Sequence, residues 1–180
     1  MATPLIYFSN CIWEVVIFRG RTHIMISTLL GLLLVEKLKI PLNINLTDYI
    51  IGLIVGALLP DADHEKTLAG KIIPLWRIWD HRTVTHSIFS FMAPVLLVKL
   101  FPGFFYLWLG LFIGLFGHIV VDMLTPVGCP LLYPFNKTKF RFAQIHTGSL
   151  KEDIIMVAVL LITVYRFYDY LHVAAVSIIH

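Results

Sequence analysis

Gly117-His118-Ile119-Val120-Val121-Asp122 places a histidine and a carboxylate four residues apart within a run, residues 104–124, that is otherwise apolar enough to cross a bilayer. At this spacing both side chains lie on one face of a helix, one turn apart, so both can reach one cation. Ionisable residues inside a membrane segment are costly and usually serve a function. We therefore predict a membrane helix that carries metal ligands.

The composition also indicates a membrane protein. Of 180 residues, 58% are hydrophobic and 14% are charged, and the mean hydropathy is +0.84. A soluble domain usually has about 25% charged residues. The formal net charge of +3 gives no indication of nucleic-acid binding. The two cysteines, Cys11 and Cys129, match no metal spacing and no disulfide framework.

Apolar stretches predict an all-α fold, namely a polytopic membrane helical bundle of about five helices. The stretches are residues 24–38, 49–59, 87–101, 104–124 and 154–177. The first three are shorter than the roughly 20 residues of a full span, so the second and third are either short helices or partly re-entrant. We predict a single helical membrane domain, residues 22–180. Residues 1–21 would form an N-terminal extension that is either interfacial or disordered.

Basic residues are distributed unequally when these stretches are threaded as alternating crossings. Three lie on one side: Lys37, Lys39 and Lys99. Ten lie on the other: Arg19, Arg21, Lys66, Lys71, Arg77, Arg82, Lys137, Lys139, Arg141 and Lys151. The positive-inside rule puts the richer side in the cytoplasm. We expect residues 66–82 and 137–151 to face the cytoplasm, and Asn43 and Gly103 to face outward.

Histidines and aspartates cluster at the ends of the stretches on that same cytoplasmic side, which predicts one shared site. Carboxylates and imidazoles suit zinc or manganese, and paired carboxylates can bridge two ions. We predict a cofactor of two or more divalent metal ions, zinc in the first place and manganese as the alternative. The predicted metal ligands are His23, Asp61, Asp63, His64, His81, His86, His118 and Asp122.

Simpler interpretations exist for each cluster. His118 and Asp122 could form hydrogen bonds between helices, and the acids after residue 60 could be solvated. The loop with His81 could contact anionic lipid. His146 is either a peripheral site residue or solvated. His172 and His180 fall on the opposite side of the membrane and are excluded from the site.

Arg82 lies between two predicted ligands, His81 and His86. Its planar fork of donors matches a phosphoryl group, so we predict that it binds the phosphoryl oxygens of substrate and transition state. Asp61 is the second predicted catalytic residue. The nucleophile would be a water whose pKa the cations lower.

The ordered motifs resemble the YdjM family of small inner-membrane proteins, which are described as having a predicted metal-dependent hydrolase activity. The matching motifs are Thr22-His23, Leu59-Pro60-Asp61-Ala62-Asp63-His64, His81-Arg82-Thr83-Val84-Thr85-His86-Ser87, and His118 through Asp122 followed by Thr125, Gly128 and Pro134-Phe135. Thr83 stands where the family usually has glycine. The chain is more distantly similar to the zinc-dependent phospholipase C and P1 nuclease group, although the acid here is Asp122 rather than glutamate and no N-terminal tryptophan ligand matches.

Together these observations predict a hydrolase embedded in the inner (plasma) membrane, with its metal site facing the cytoplasm. A phosphoester is the expected substrate, and a phospholipid or lipid phosphate suits the position of the site. Membrane lipids are the expected partners. The alternative is a non-enzymatic metal-binding membrane protein that acts as a sensor, a carrier or a structural partner.

Overall fold

Helices form almost all of the regular structure. The computed structural model describes the backbone of residues 5–38, 40, 45–146 and 148–179, and the side chains of residues 20–38, 40, 45–146, 148–169 and 172. The α-helices are α1 (Leu5–Leu38), α2 (Leu46–Leu58), α3 (Leu68–Ile72), α4 (Met92–Leu100), α5 (Phe105–Met123) and α6 (Leu150–Ile179). Short 3₁₀ turns cover Leu59–Asp63, Leu75–Arg77, Val84–His86, Ile88–Phe91 and Pro102–Phe104. No strand occurs within these ranges, so the all-α prediction is confirmed for them.

The predicted third apolar stretch, residues 87–101, is only partly α-helical. Its first part forms the 3₁₀ turn Ile88–Phe91, and α4 begins at Met92. Pro94 lies in the first turn of α4 and has no N–H to donate to the carbonyl of Ser90, so regular α-helical hydrogen bonding cannot extend further back. The short helix α3 has no counterpart among the predicted stretches.

The division into an extension, residues 1–21, and a domain, residues 22–180, stays a prediction. Helix α1 runs from Leu5 through that boundary to Leu38. Residues 1–4 lie outside the described part of the chain. So do Lys39, Asn43 and His180, which the sequence-based topology and site assignments mention.

One helical segment among the described residues is long and apolar enough to cross a membrane by length and composition. It is Pro102–Met123, with 22 residues and a mean hydropathy of 2.1, and half of it is buried inside the fold. The segment Ile88–Leu100 is apolar but shorter. The helices agree with an all-α fold, but they do not by themselves establish a polytopic bundle.

Helices α2 and α5 pack closely because glycines lie between them. Gly52 and Gly56 of α2 approach Gly110 and Gly114 of α5. A Cβ atom on Gly114 would lie 2.3 Å from the carbonyl oxygen of Leu53, far inside van der Waals contact. Small residues four apart on facing helices allow this approach of the backbones. The packing brings the C-terminal end of α2, where the acidic turn begins, next to the end of α5.

Helix α1 crosses α5 at a second close contact. A Cβ atom on Gly117 would lie 2.2 Å from Oγ of Ser27, and this hydroxyl donates to the carbonyl of Gly114 at 3.2 Å. Helix α6 packs against α1, where Arg166 pairs with Glu36 at 3.2 Å. The resulting arrangement brings one part of α1, the end of α2 and the end of α5 to one place.

Candidate metal centre

His118 lies at the centre of the polar cluster and is fully buried. Its Nδ1 donates to the carbonyl of Ala57 at 2.7 Å. Since a carbonyl can only accept, this hydrogen bond puts the proton on Nδ1 and directs the lone pair of Nε2 into the cluster. A histidine held this way by a backbone carbonyl is typical of metal ligands. The contact exists because α2 and α5 pack closely.

His23 stacks on His118 from α1. The two rings lie 3.9 Å apart between centroids, at an interplanar angle of 11°. Nε2 of His23 is 3.8 Å from Oδ1 of Asp122, and Nδ1 is buried without a hydrogen-bond partner in the described part of the chain. A buried polar atom without a partner is costly, so this ring has an unused capacity for a ligand.

Asp63 ends the 3₁₀ turn that follows α2, and its buried carboxylate is surrounded by donors. Oδ1 accepts from Nδ1 of His81 at 2.6 Å, and Oδ2 accepts from the backbone N–H of Arg82 at 2.9 Å and from the hydroxyl of Thr85. Nδ1 of His86 lies 3.2 Å from Oδ2. Burial alone would raise the pKa of Asp63, but the donors from His81, His86 and Thr85 hold it well below its usual range. Asp63 therefore orients the whole loop that follows it.

His86 connects the two sides of the cluster. Its Nε2 lies 3.1 Å from Oδ2 of Asp122 and 3.3 Å from Nε2 of His118. Burial alone would lower the pKa of His86, but the carboxylates of Asp122 and Asp63 outweigh burial and raise it to about 9. The raised pKa reflects the two buried carboxylates on either side of this imidazole.

Arg82 reaches the same cluster from a left-handed backbone conformation. Its φ is +58°, the one positive φ of a non-glycine residue in the described ranges. Nη2 donates to Oδ1 of Asp122 at 2.8 Å, and Nη1 donates to Oγ1 of Thr125 at 3.3 Å. Such a strained conformation costs about 1–2 kcal/mol and persists where surrounding contacts hold it. Here the Asp63 carboxylate holds the Arg82 N–H, which directs the guanidinium towards the predicted ligands.

Three overlapping groups of residues could each hold a metal ion. They are His23–His118–Asp122, Asp61–His86–His118 and Asp63–His81–His86, and within each group the ligand atoms lie within 4.8 Å of one another. Asp61 is the most open of the carboxylates, and its Oδ1 is 3.8 Å from Nε2 of His118. Seven of the eight predicted ligands belong to these groups.

The eighth predicted ligand, His64, lies at the rim. Its ring meets that of His81 edge-on, 4.8 Å apart between centroids. A cavity of about 450 Å³ adjoins the cluster, and its wall includes His64 together with His23, Asp61, His81, Arg82 and Asp122. His146, which the sequence left as either peripheral or solvated, also lines this cavity while remaining exposed. The structure thus gathers the predicted residues around one space, and their role as ligands stays a prediction.

Glu152 is a cavity residue that the sequence reasoning missed. Its buried carboxylate accepts from the hydroxyl of Thr22 at 2.9 Å and from the N–H of Gly148 at 2.6 Å. Ser149-Leu150-Lys151-Glu152 has the spacing of a capping box, and Glu152 N–H donates to Oγ of Ser149 at 3.4 Å. That pattern could have indicated Glu152 at the start of α6, but the contact with Thr22, beside His23, is tertiary.

Thr85 and Ser87 lie close in sequence but have different contacts. Ser87 Oγ accepts from the N–H of Phe89 at 3.3 Å and caps the 3₁₀ turn Ile88–Phe91. Thr85 instead donates to Asp63 and lies 2.9 Å from Nδ1 of His86. Thr85 therefore belongs to the polar cluster, for which its sequence context gave no signal.

The profile of the YdjM inner membrane protein family matches residues 18–178. The chain belongs to this family. The resemblance seen in the motifs is thereby confirmed, and so is a membership among inner membrane proteins. No solved structure matches the chain.

The matches to individual relatives cover different shares of this chain and of each relative. The chain is similar to the Bacillus subtilis (strain 168) protein YvsG, described as uncharacterized, with 28% identity over 123 residues, 66% of this chain and 77% of that protein. It is also similar to the inner membrane protein YdjM of Escherichia coli (strain K12), with 37% identity over 91 residues, 45% of this chain and 46% of that protein. The match thus spans less than half of the Escherichia coli protein. These names give a location and no reaction.

Proposed function

We propose that the protein is a multi-pass inner-membrane enzyme that hydrolyses a phosphoester with the help of divalent metal ions, zinc or manganese. The observation that carries the proposal is the overlap of three His/Asp groups around His118 and His86. Most of these side chains are buried, and buried ionisable groups are found paired with one another or coordinating metal ions. Such a set of donors suits zinc and manganese.

The residues present fit two ions. His118 offers only Nε2, because Nδ1 is engaged by Ala57, so it can serve one ion. Asp122 has two carboxylate oxygens, with Oδ1 near His23 and Oδ2 near His86, and could therefore contribute to both sites. His23 would complete one site, and Asp61 with His86 the other.

Asp63 fits a supporting role better than that of a ligand. Both of its oxygens already accept hydrogen bonds, from His81 on one side and from Arg82 and Thr85 on the other. Outer carboxylates of this kind orient histidine ligands and raise their basicity. Asp63 would thus hold His81 and His86 in place, while His64 and His81 stand at the cavity rim.

The chemistry follows from this arrangement. Divalent cations, when bound here, would stabilise negative charge on a phosphoryl oxygen and lower the pKa of the water that attacks phosphorus, and the P–O bond to the leaving alcohol would break. Arg82 lines the cavity beside Asp122 and would bind the remaining phosphoryl oxygens through its planar fork. Asp61 faces the same space and would take up the proton released from the attacking water.

The open cavity favours an enzyme over a structural metal site. Structural sites are closed by protein ligands, whereas catalytic sites keep an accessible position. Here about 450 Å³ of space adjoins the candidate ligands. Apart from His23, which lies within α1, the ligands lie near the ends of helices or in the loop between them, which also disfavours a carrier.

A multi-pass topology with the site facing the cytoplasm is part of this proposal. It is supported by the family's inner-membrane location and by the unequal basic residues. It is also supported by exposed apolar side chains on α4 and α6, such as Met92 at 64% and Leu161 at 65% exposure, which lipid would cover.

Metal analysis of the purified protein in detergent tests the proposal. We expect stoichiometric zinc or manganese in the wild type, substantially less in His118→Ala and Asp122→Ala, and no change in the matched control His172→Ala. Turnover of phospholipids, lipid phosphates and soluble phosphoesters should disappear with a chelator and return with the metal. Equal metal content in all variants would rule out α5 as a ligand helix, and metal without turnover would favour a non-enzymatic metal-binding protein.

A further inference from the structure

A small apolar crevice adjoins the main cavity between α1, α5 and the start of α6. Its volume is about 30 Å³. Val121, Thr125 and Glu152 line both spaces, so the crevice lies directly beside the cavity. The crevice is otherwise lined by Thr22 and by the apolar side chains Ile26, Leu124, Ile145 and Ile155.

The two spaces have opposite chemistry. The cavity has the candidate metal ligands and Arg82 on its wall, which suit an anion. In the crevice, Thr22 and Glu152 already satisfy each other at 2.9 Å, and the second oxygen of Glu152 accepts from Gly148. The Thr125 hydroxyl donates to the Asp122 carbonyl at 2.7 Å. The remaining walls are aliphatic side chains that offer no hydrogen bond.

We propose that the substrate is an amphiphile, a phosphoester with an alkyl or acyl chain, whose phosphoryl group faces Arg82 and whose first methylenes lie in the crevice. This inference rests on the proposed function, since it names the substrate class of the same site. A compact polar phosphoester would leave the crevice unused, whereas a chain attached to the phosphoryl group would cover its aliphatic walls.

The surface beyond the crevice continues the apolar path. Ile162 lies two turns from Ile155 on the same face of α6 and is 49% exposed. A longer chain can therefore leave the crevice along an apolar helix surface rather than into water. This continuity favours a lipid, whose chain extends into the bilayer, over a short soluble ester.

Binding of a series of n-alkyl phosphates, from methyl to hexyl phosphate, tests the inference by calorimetry on the metal-supplemented protein in detergent. Each methylene that moves from water into an apolar site raises affinity by about fourfold. We expect affinity to rise with chain length in the wild type until the crevice is filled. In Ile155→Trp the indole would fill the crevice, so the rise should disappear while methyl phosphate still binds.

Ile154→Trp is the matched control, because Ile154 is adjacent on α6 but 61% exposed. It should keep the wild-type dependence on chain length. Ile26→Trp blocks the crevice from α1 and replaces Ile155→Trp if that variant does not fold. A flat dependence in the wild type, the same dependence in all variants, or no binding of any alkyl phosphate would overturn the inference.

Turnover read in the same samples separates the two proposals. Binding that depends on chain length without hydrolysis would contradict the proposed enzyme and leave the amphiphile site intact. Hydrolysis of methyl and hexyl phosphate with equal efficiency in the wild type and Ile155→Trp would contradict the amphiphile site alone.

Discussion

Asp61 and Asp63 lie two residues apart, yet their surroundings predict different effects when each is replaced by asparagine. The Asp63 side chain has no exposed surface, and its oxygens accept from His81 at 2.6 Å and from the Arg82 N–H at 2.9 Å, as well as from Thr85. An amide keeps one acceptor and puts a donor in place of the other. Asp63→Asn therefore removes the negative charge and one of the two acceptors on which the surrounding donors depend.

The expected loss of stability follows from these contacts. A hydrogen bond to a charged group contributes about 1.5–3 kcal/mol, and breaking a buried ion pair costs about 3–5 kcal/mol. We expect Asp63→Asn to lower the free energy of unfolding by about 3–5 kcal/mol. Loss of an outer-shell partner should also weaken metal binding by about 10–100-fold.

Asp61→Asn is the matched comparison. The Asp61 side chain is 15% exposed, and its carboxylate makes no hydrogen bond within the described ranges; His118 is 3.8 Å away. We expect a change in stability within about 1 kcal/mol, together with the loss of metal from the site that Asp61 would complete. Asp63→Asn should thus lower stability much more than Asp61→Asn does, whereas Asp61→Asn should lose metal with little change in stability.

Equilibrium unfolding in detergent, followed by the helical circular dichroism signal, measures the first quantity. A chelator keeps both variants and the wild type metal-free, so that the stability difference reports on the protein contacts alone. Elemental analysis after metal loading measures the second. If Asp63→Asn unfolds with wild-type stability, or if Asp61→Asn is destabilised as strongly, the assignment of Asp63 as the orienting carboxylate is wrong.

Further predictions concern catalysis, packing and topology. Arg82→Ala should retain metal and reduce kcat by about 10²–10³-fold, as when one preorganised donor is lost. Arg82→Lys should recover only part of the lost kcat. Wild-type turnover of both variants, measured in neutral detergent at matched metal loading, would remove Arg82 from the site. Gly114→Ala should lower the free energy of unfolding by about 1–3 kcal/mol, because its Cβ would meet the Leu53 carbonyl at 2.3 Å. In the control Gly103→Ala the new Cβ meets nothing within 4 Å. Equal stability of the two variants would contradict the close α2–α5 packing. A single cysteine at Lys71 should be protected from an impermeant reagent in intact cells while one at Gly103 reacts, and the reverse result would invert the topology.

Arg82 and Asp122 form an ion pair within the site. Nη2 of Arg82 lies 2.8 Å from Oδ1 of Asp122, and His86 lies 3.1 Å from Oδ2, so each oxygen has a positive or donating partner. A phosphoryl group that binds Arg82 would compete with Asp122 for the same guanidinium.

Local patterns were sufficient for the class of fold and for the residue types of the site. The spacing of His118 and Asp122 reports a shared helix face, because the helical repeat is a local property of the backbone. Apolar stretches similarly indicated helices where α1, α2, α5 and α6 lie, since burial of apolar surface follows sequence periodicity. The sequence pattern did not indicate the 3₁₀ turn before α4, because the apolar run continues through that turn into the helix.

Only the tertiary structure decided how these residues divide their roles. Asp61 and Asp63 look equivalent in sequence, but the loop that folds back over Asp63 saturates its oxygens and leaves Asp61 open to the cavity. The lone pair of His118 faces the cluster because α2 approaches closely enough for the Ala57 carbonyl to hold Nδ1. Glu152 reaches Thr22 across 130 positions of sequence. Such contacts depend on how close distant backbones come, and the side chains between helices set that distance only when the whole chain is packed.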